Sequence, residues 1–308
     1  MLDPRDLYSF ETDVDVAGLR AGAMVVAFGG YLDAGGTQRL LVDHLLATLD
    51  HRVVATFDID QLYDYRGRRP LMTFERDRWM AYDDPSLILY RVSDDDGTPF
   101  LLLAGREPDY QWERVIEAVR GLIDRFGVGL VATVYGIPMA VPHTRPLWVS
   151  AHATDERLVA GRDSVFGSVR VPAGLQNLLE MRLGEMGRAA VGFAVHVPHY
   201  LAQSDFPAAA LAGLENLVAA TGLALPDAAL QIAAADNQRA IAAEVSGTED
   251  APQVVEGLEA QYDAFVAGRQ RKALLAGDDS LIPTAEELGQ EFEAFLRSQE
   301  GTEPEAGA

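Results

Sequence analysis

The strongest constraint on the fold comes from three segments that follow one another within about 35 residues. Ala23 to Phe28 (AMVVAF) is continuously apolar and ends on Gly29-Gly30, the pattern of a strand buried on both faces. Thr37 to Leu49 then places Leu40, Leu41, His44, Leu45, Thr48 and Leu49 at helical spacing, and Val53 to Phe57 is a second strand. Strand, helix, strand is a βαβ unit, and its crossover makes the two strands parallel.

The rest of the chain extends that unit. Arg78 to Tyr82 and Leu87 to Tyr90 alternate like short strands, and Asp94-Asp95-Asp96-Gly97 is a turn leading into a strand at Phe100 to Ala104. Asp109 to Phe126 carries Trp112, Val115, Ile116, Val119, Leu122 and Ile123 on one helical stripe. Strands at Val128 to Tyr135, Leu147 to Ala151 and Val191 to Val197 and a helix at Leu175 to Met186 complete an α/β fold, a mixed sheet flanked by helices. After Tyr200 the character turns helical. A helix at Phe206 to Thr221 is followed by Pro226 to Ser246 and Pro252 to Leu275, which read as a C-terminal helical hairpin. Leu230, Ala234, Ile241 and Val245 would face Val255, Leu258, Tyr262 and Phe265 across it. Thr284 to Glu287 fits a capping box opening a short acidic helix. The expected organisation is a core domain over 1–224, a helical appendage over 225–300 and a disordered tail over 301–308.

Composition removes whole classes of chemistry. Twenty-five basic residues stand against 47 acidic ones, a formal net charge of −22, so phosphate backbones and anionic lipid are repelled. No nucleic-acid or membrane partner is expected. Lys272 is the only lysine, which leaves neither a Schiff-base nor a phosphate-loop lysine in the body of the chain. There is no cysteine, hence no disulfide, thiolate nucleophile or cysteine-bound zinc. With no signal-like start and no apolar run near the roughly 20 residues that span a bilayer, the expected compartment is the cytoplasm.

Four segments could carry function. Phe28 to Gly36, with Gly29, Gly30, Asp33 and Gly35, joins a strand end to a helix start, where open α/β sheets bind ligands. Asp33 puts negative charge where a phosphate would otherwise sit, and it reads equally as a helix cap. Asp58 to Pro70 holds Asp64 and a basic island, Arg66, Arg68 and Arg69. The island could grip a carboxylate or pair with Asp58, Asp60 and Asp64. Tyr135 to Pro146 is a loop stiffened by three prolines, bearing His143 and Arg145. His196 and His199 flank Pro198, and with His143 or His152 they are the one place a metal could be sought. Neither a serine nucleophile elbow, a phosphate-binding loop nor an HExxH motif is present, so no catalytic residue, metal or cofactor is assigned.

Read together, five pieces in order resemble the proteasome assembly chaperone 2 family in its actinobacterial form. They are Gly30-Tyr31-Leu32-Asp33-Ala34-Gly35; Asp64-Tyr65-Arg66-Gly67-Arg68-Arg69-Pro70; Gly105-Arg106-Glu107-Pro108-Asp109 with Trp112; Gly136-Ile137-Pro138 with Pro142-His143-Thr144-Arg145-Pro146; and Val197-Pro198-His199-Tyr200 with Pro207-Ala208-Ala209. The resemblance implies a phosphorylase/hydrolase-like fold and a non-catalytic role, since eukaryotic and archaeal relatives assemble or bind proteasome α-subunits. Some of those relatives dock through a C-terminal hydrophobic–tyrosine–any tail, from which Glu305-Ala306-Gly307-Ala308 departs.

Two readings follow. One is an assembly factor or adaptor that binds a protein partner, with proteasome subunits as the implied class and self-association expected. The other is an enzyme or small-molecule binder with a nucleoside-phosphorylase-like pocket. If the four segments form one site, Asp33, one of Arg66, Arg68 or Arg69, and His143 or His199 should line a common cleft; the second reading would build its pocket from Asp33, Arg68, His143 and His199.

Overall fold

The alternation hidden inside Ala23 to Phe28 decides how the sheet is covered. In the computed structural model, which describes residues 2–30, 32–162 and 167–275, this segment is strand β2 (Ala23–Gly29), β1 being the short Tyr8–Phe10. Met24, Val26 and Phe28 enter one core, and Ala23, Val25 and Ala27 enter another on the opposite face. A strand buried on both faces belongs in the middle of a helix-covered sheet, and β2 lies there.

The remaining elements follow in chain order: α1 (Thr37–Thr48), β3 (His51–Phe57), β4 (Met72–Glu75), β5 (Arg78–Tyr82), β6 (Leu87–Ser93), β7 (Pro99–Arg106), α2 (Trp112–Phe126), β8 (Leu130–Met139), β9 (Val149–Ala153), α3 (Leu175–Glu185), β10 (Ala190–Pro198), α4 (Pro207–Thr221), α5 (Ala228–Gly247) and α6 (Ala251–Leu275). Eight strands form one sheet in the order β1-β3-β6-β7-β2-β8-β10-β9. The β7-β2, β2-β8 and β8-β10 pairs are parallel and the others antiparallel, so the sheet is mixed. β4 and β5 form a separate two-stranded hairpin.

Helix α2 buries Val115, Ile116, Val119, Leu122 and Ile123 of the predicted stripe and packs its Trp112 against the same core; Phe126 is buried with them, as are Leu175, Leu179 and Leu183 of α3. On the other face α1 contributes Leu41 and Leu45, and α4 contributes Leu214 and Leu217. Each such leucine, fully buried, contributes roughly 2 kcal/mol of transfer free energy. Leu230 and Ile241 of α5 join this second core, with Val245 packed against it, so α5 is held to the body by its apolar side. The chain divides into two compact units, Met1–Val255 and Glu256 onward. The expected boundary at 224/225 falls between α4 and α5, inside the first unit. The capping box at Thr284, the short acidic helix and the tail lie outside the described residues. None of the described helices is long and apolar enough to cross a membrane.

The crossovers position the site. From β2 the chain turns to the α1 face and on to β3, whereas from β7 it turns to the α2 face and on to β8. Neighbouring parallel strands whose exits diverge to opposite faces leave a crevice at their carboxyl ends.

Candidate functional site

That crevice exists, with a volume of ≈ 360 Å³. Gly29 and Gly30 end one wall, Gly105 and Arg106 end the other, and Asp33, Gln38 and Arg39 close it from the α1 side. Asp83, Asp84 and Ser86, from the link between β5 and β6, complete the rim. Gly35 (φ +69°) and Gly36 (φ +57°) turn the chain into α1, and Asp33 reaches across them. Its Oδ1 accepts the Gln38 N–H at 2.7 Å and its Oδ2 the Arg39 N–H at 3.2 Å. The helix-cap reading of Asp33 is therefore what the geometry supplies. Burial pushes the Asp33 carboxyl above its ordinary value, against the pull of these N–H donors and of Arg39. Both arginines of the cleft are already paired: Arg106 Nη2 lies 2.9 Å from Asp83, and Arg39 pairs with Asp43 at 3.3 Å and with Asp205. With Asp33, Asp43, Asp83 and Asp84 against two engaged arginines, the cleft is acidic, and an anion has no open donor at the start of α1.

Glu107 stands just behind Gly30. Its Oε1 accepts the Leu175 N–H at 2.6 Å and so caps α3, and burial pushes its carboxyl upward. A Cβ at Gly30 would come 3.0 Å from Glu107 Cδ and closer to its Oε2, so a side chain there has to displace the carboxylate that caps α3. Phe28, Leu32, Gln176 and Asn177 close an adjoining cavity of ≈ 10 Å³, room for about one water.

The basic island is built differently from expectation. Asp64 accepts the Arg66 and Gly67 N–H groups, both at 3.0 Å, and its own N–H donates to Asp109 at 2.6 Å. Arg68 pairs with Asp109 (2.7 Å), donates to the Glu107 carbonyl and lies 4.7 Å over the Tyr63 ring. The expected partners are occupied elsewhere: Asp60 accepts from Tyr65 Oη and Asp58 from Gln61 Nε2. Arg68 thus ties its loop to the β7–α2 loop, while Arg66 and Arg69 are exposed and form no ion pair among the described residues.

His143 is buried. Its N–H donates to Tyr200 Oη at 2.9 Å, and its Nδ1 lies 2.7 Å from the same oxygen. Exposed His199 stacks edge-on against Tyr200 at 5.5 Å, and Arg145 is half-buried in the same proline loop. Gly35 packs on Val197 and Phe206. The sequence-predicted residues therefore fall into three groups: Gly29, Gly30 and Asp33 in the cleft; Asp64 and Arg68 pinned at Asp109; His143 and His199 gathered by Tyr200. No arginine of the island and neither histidine lines the cleft, because Arg68 turns to Asp109 and the histidines follow the ends of β8 and β10. His196 faces Ser150 Oγ at 2.9 Å, and among the described residues no three metal-ligating side chains converge.

One network escaped the sequence reading. Tyr135 Oη lies 2.9 Å from His152 Nε2, and His152 Nδ1 lies 2.8 Å from Glu180 Oε1, linking β8, β9 and α3. Its single sequence signal is Gly192 in mid-strand, where a Cβ would come 2.6 Å from His152 Nε2.

Comparison with known proteins places this geometry in a family. The PAC2 family model matches residues 27–245. The chain belongs to the PAC2 family. A Mycobacterium tuberculosis protein of unknown function, Rv2714, is 46% identical, with a TM-score of 0.84 over 87% of this chain and 92% of its own. A Corynebacterium glutamicum protein of unknown function is 37% identical, with a TM-score of 0.79 over 85% of this chain and 98% of its own. The M. tuberculosis proteasome-assembly chaperone homologue Rv2125 shares the fold at 24% identity, TM-score 0.69, over 76% of this chain and 99% of its own. No curated protein sequence matches the chain.

Proposed function

We propose that this PAC2 protein is a non-catalytic assembly factor that holds protein partners, with proteasome subunits as the partner class and self-association as part of its working state. The observation that carries this reading is the β4–β5 hairpin. A two-stranded hairpin is marginal alone in water, yet this one leaves Leu71, Met72, Phe74, Trp79, Met80 and Tyr82 between 45% and 77% exposed. Met72, Phe74, Trp79 and Tyr82 are cross-strand partners on one face, and at roughly 150–250 Å² for a large aromatic side chain, four half-exposed side chains leave on the order of 400 Å² of apolar surface, the size that marks an interaction site. Phe74 and Trp79 meet edge-on at 4.9 Å, which holds the patch in shape before any partner arrives. Support comes from fold relatives described as a proteasome-assembly chaperone homologue and an archaeal proteasome activator. The cytoplasm is the compartment this reading requires.

The volume and position of the cleft favour a second reading, a small-molecule binder or enzyme. It is the weaker one, since Arg68, His143 and His199 stand outside that cleft.

The test is a Phe74→Ser/Trp79→Ser double variant, compared with wild type by light scattering alone and after mixing with proteasome α-subunits from the same source. Loss of complex and of self-association with an unchanged circular dichroism spectrum is expected. Unchanged complexes, or nucleoside cleavage with phosphate by the wild type, would replace this reading with the second.

A further inference from the structure

The apolar hairpin and the acidic cleft are made by one continuous segment. Leu71 to Tyr82 forms the hairpin, and the next residues, Asp83 and Asp84, form the cleft rim. Register pairs Met72 with Tyr82 and Phe74 with Trp79, so these four side chains share one face of the hairpin. At its foot, Asp83 is engaged by Arg106, whereas Asp84 has no ion pair among the described residues. A partner that covers the aromatic face runs on to the cleft rim at the hairpin's foot, where Asp84 is exposed and its negative charge is unpaired among the described residues.

Charge complementarity selects what those residues are. We propose that this combined surface docks a protein segment in which an arginine or lysine is flanked by apolar residues, the apolar side chains on the Met72-Phe74-Trp79-Tyr82 face and the cation in the cleft beside Asp84. It rests on the protein-binding reading and specifies its partner. An acidic segment would set like charge against like in a recess, and a wholly apolar one would strip water from Asp84 without replacing it. A small cation would use the cleft and leave the hairpin bare.

Calorimetry with three synthetic nonapeptides tests this, each with leucines around a central arginine, glutamine or glutamate, and with free arginine as a fourth probe. The arginine peptide should bind about tenfold more tightly than the glutamate peptide, and raised salt should narrow the gap. Asp84→Lys should weaken the arginine peptide about fivefold or more. Asp13→Lys, with the same charge change at an exposed residue outside the cleft, should leave it unchanged. Equal affinities for the three peptides, equal damage from the two lysine variants, free arginine binding as tightly as the peptide, or no peptide binding would each overturn the proposal. Displacement of the peptide by a second copy, abolished by Arg66→Glu/Arg69→Glu, would do so too, by making this chain's own arginines the occupant. The two ideas fail separately. If the peptides fail while the hairpin double variant still loses proteasome α-subunits, only the cation pairing falls; if that variant keeps them, the protein-binding reading falls as well.

Discussion

Gly105 sits on the wall of the cleft, paired with Leu87 of β6 on one side and Phe28 of β2 on the other. Its φ of +152° is one that side-chain-bearing residues rarely adopt. A Cβ there would come 2.6 Å from Leu87 Cα and 2.8 Å from the Ser86 carbonyl carbon, and closer still to the Ser86 oxygen. All of these atoms are backbone, so no rotamer change relieves the clash. They are also tied down, since the Arg106 N–H donates to that oxygen at 2.8 Å. Gly105→Ala should therefore combine backbone strain of about 1–3 kcal/mol with an overpacking cost of similar size, together about 4 kcal/mol. For a body of this length, about 2–4 °C per kcal/mol puts the loss in melting temperature on the order of 10 °C. Gly97→Ala is the matched control: φ is +80° in the β6–β7 turn, but a Cβ there meets nothing within 4 Å. It should cost about 1 kcal/mol, a few degrees. Thermal melts of the two variants side by side decide the matter. If Gly105→Ala melts with or above Gly97→Ala, the close approach of β6 and β7 is not the constraint argued here.

Asp33→Ala orphans the Gln38 and Arg39 N–H groups and should cost about 1–2 kcal/mol in denaturant titration, while Asp33→Asn keeps an acceptor and should lose less than half of that. Burial pulls the His196 imidazole from 6.5 down to about 4. Between those values the unfolded chain binds a proton that the native state does not, so this group's contribution is full above 6.5 and shrinks as pH falls towards 4. The shift corresponds to about 3 kcal/mol. His196→Gln should therefore flatten the fall in stability from pH 6.5 to 4 relative to wild type, and parallel curves would show that the imidazole is not what titrates.

What was legible in the sequence is what repeats with the period of a buried face. The apolar run of β2 and the stripes of α1 and α2 announced a parallel centre with helices on both sides, because each residue there answers to a core directly beneath it. β1 gave no such signal, for three residues contain no period. β4 gave none either, its four residues being too few to set a period, whereas the equally exposed β5 was read from the alternation of Arg78 to Tyr82. The site residues divide along the same line. Gly29, Gly30 and Asp33 were legible because a strand end, a turn and a helix cap are neighbours in sequence. Arg68 was seen, but its partner Asp109 lies 41 residues away, and nearby aspartates looked equally suitable. Asp83, Asp84 and Arg106 meet only because β6 runs antiparallel to β7, a pairing that local pattern cannot report.

The glycines offer a route around that limit. In a strand a glycine is unfavourable, so its presence implies something that a Cβ would displace. At Gly105 it is the backbone of Ser86 and Leu87, at Gly30 the Glu107 carboxylate, and at Gly192 the His152 ring on its way to Tyr135. Two of the three line the cleft and the third seats the Tyr135–His152–Glu180 network, so mid-strand and strand-end glycines mark in this chain where distant segments converge.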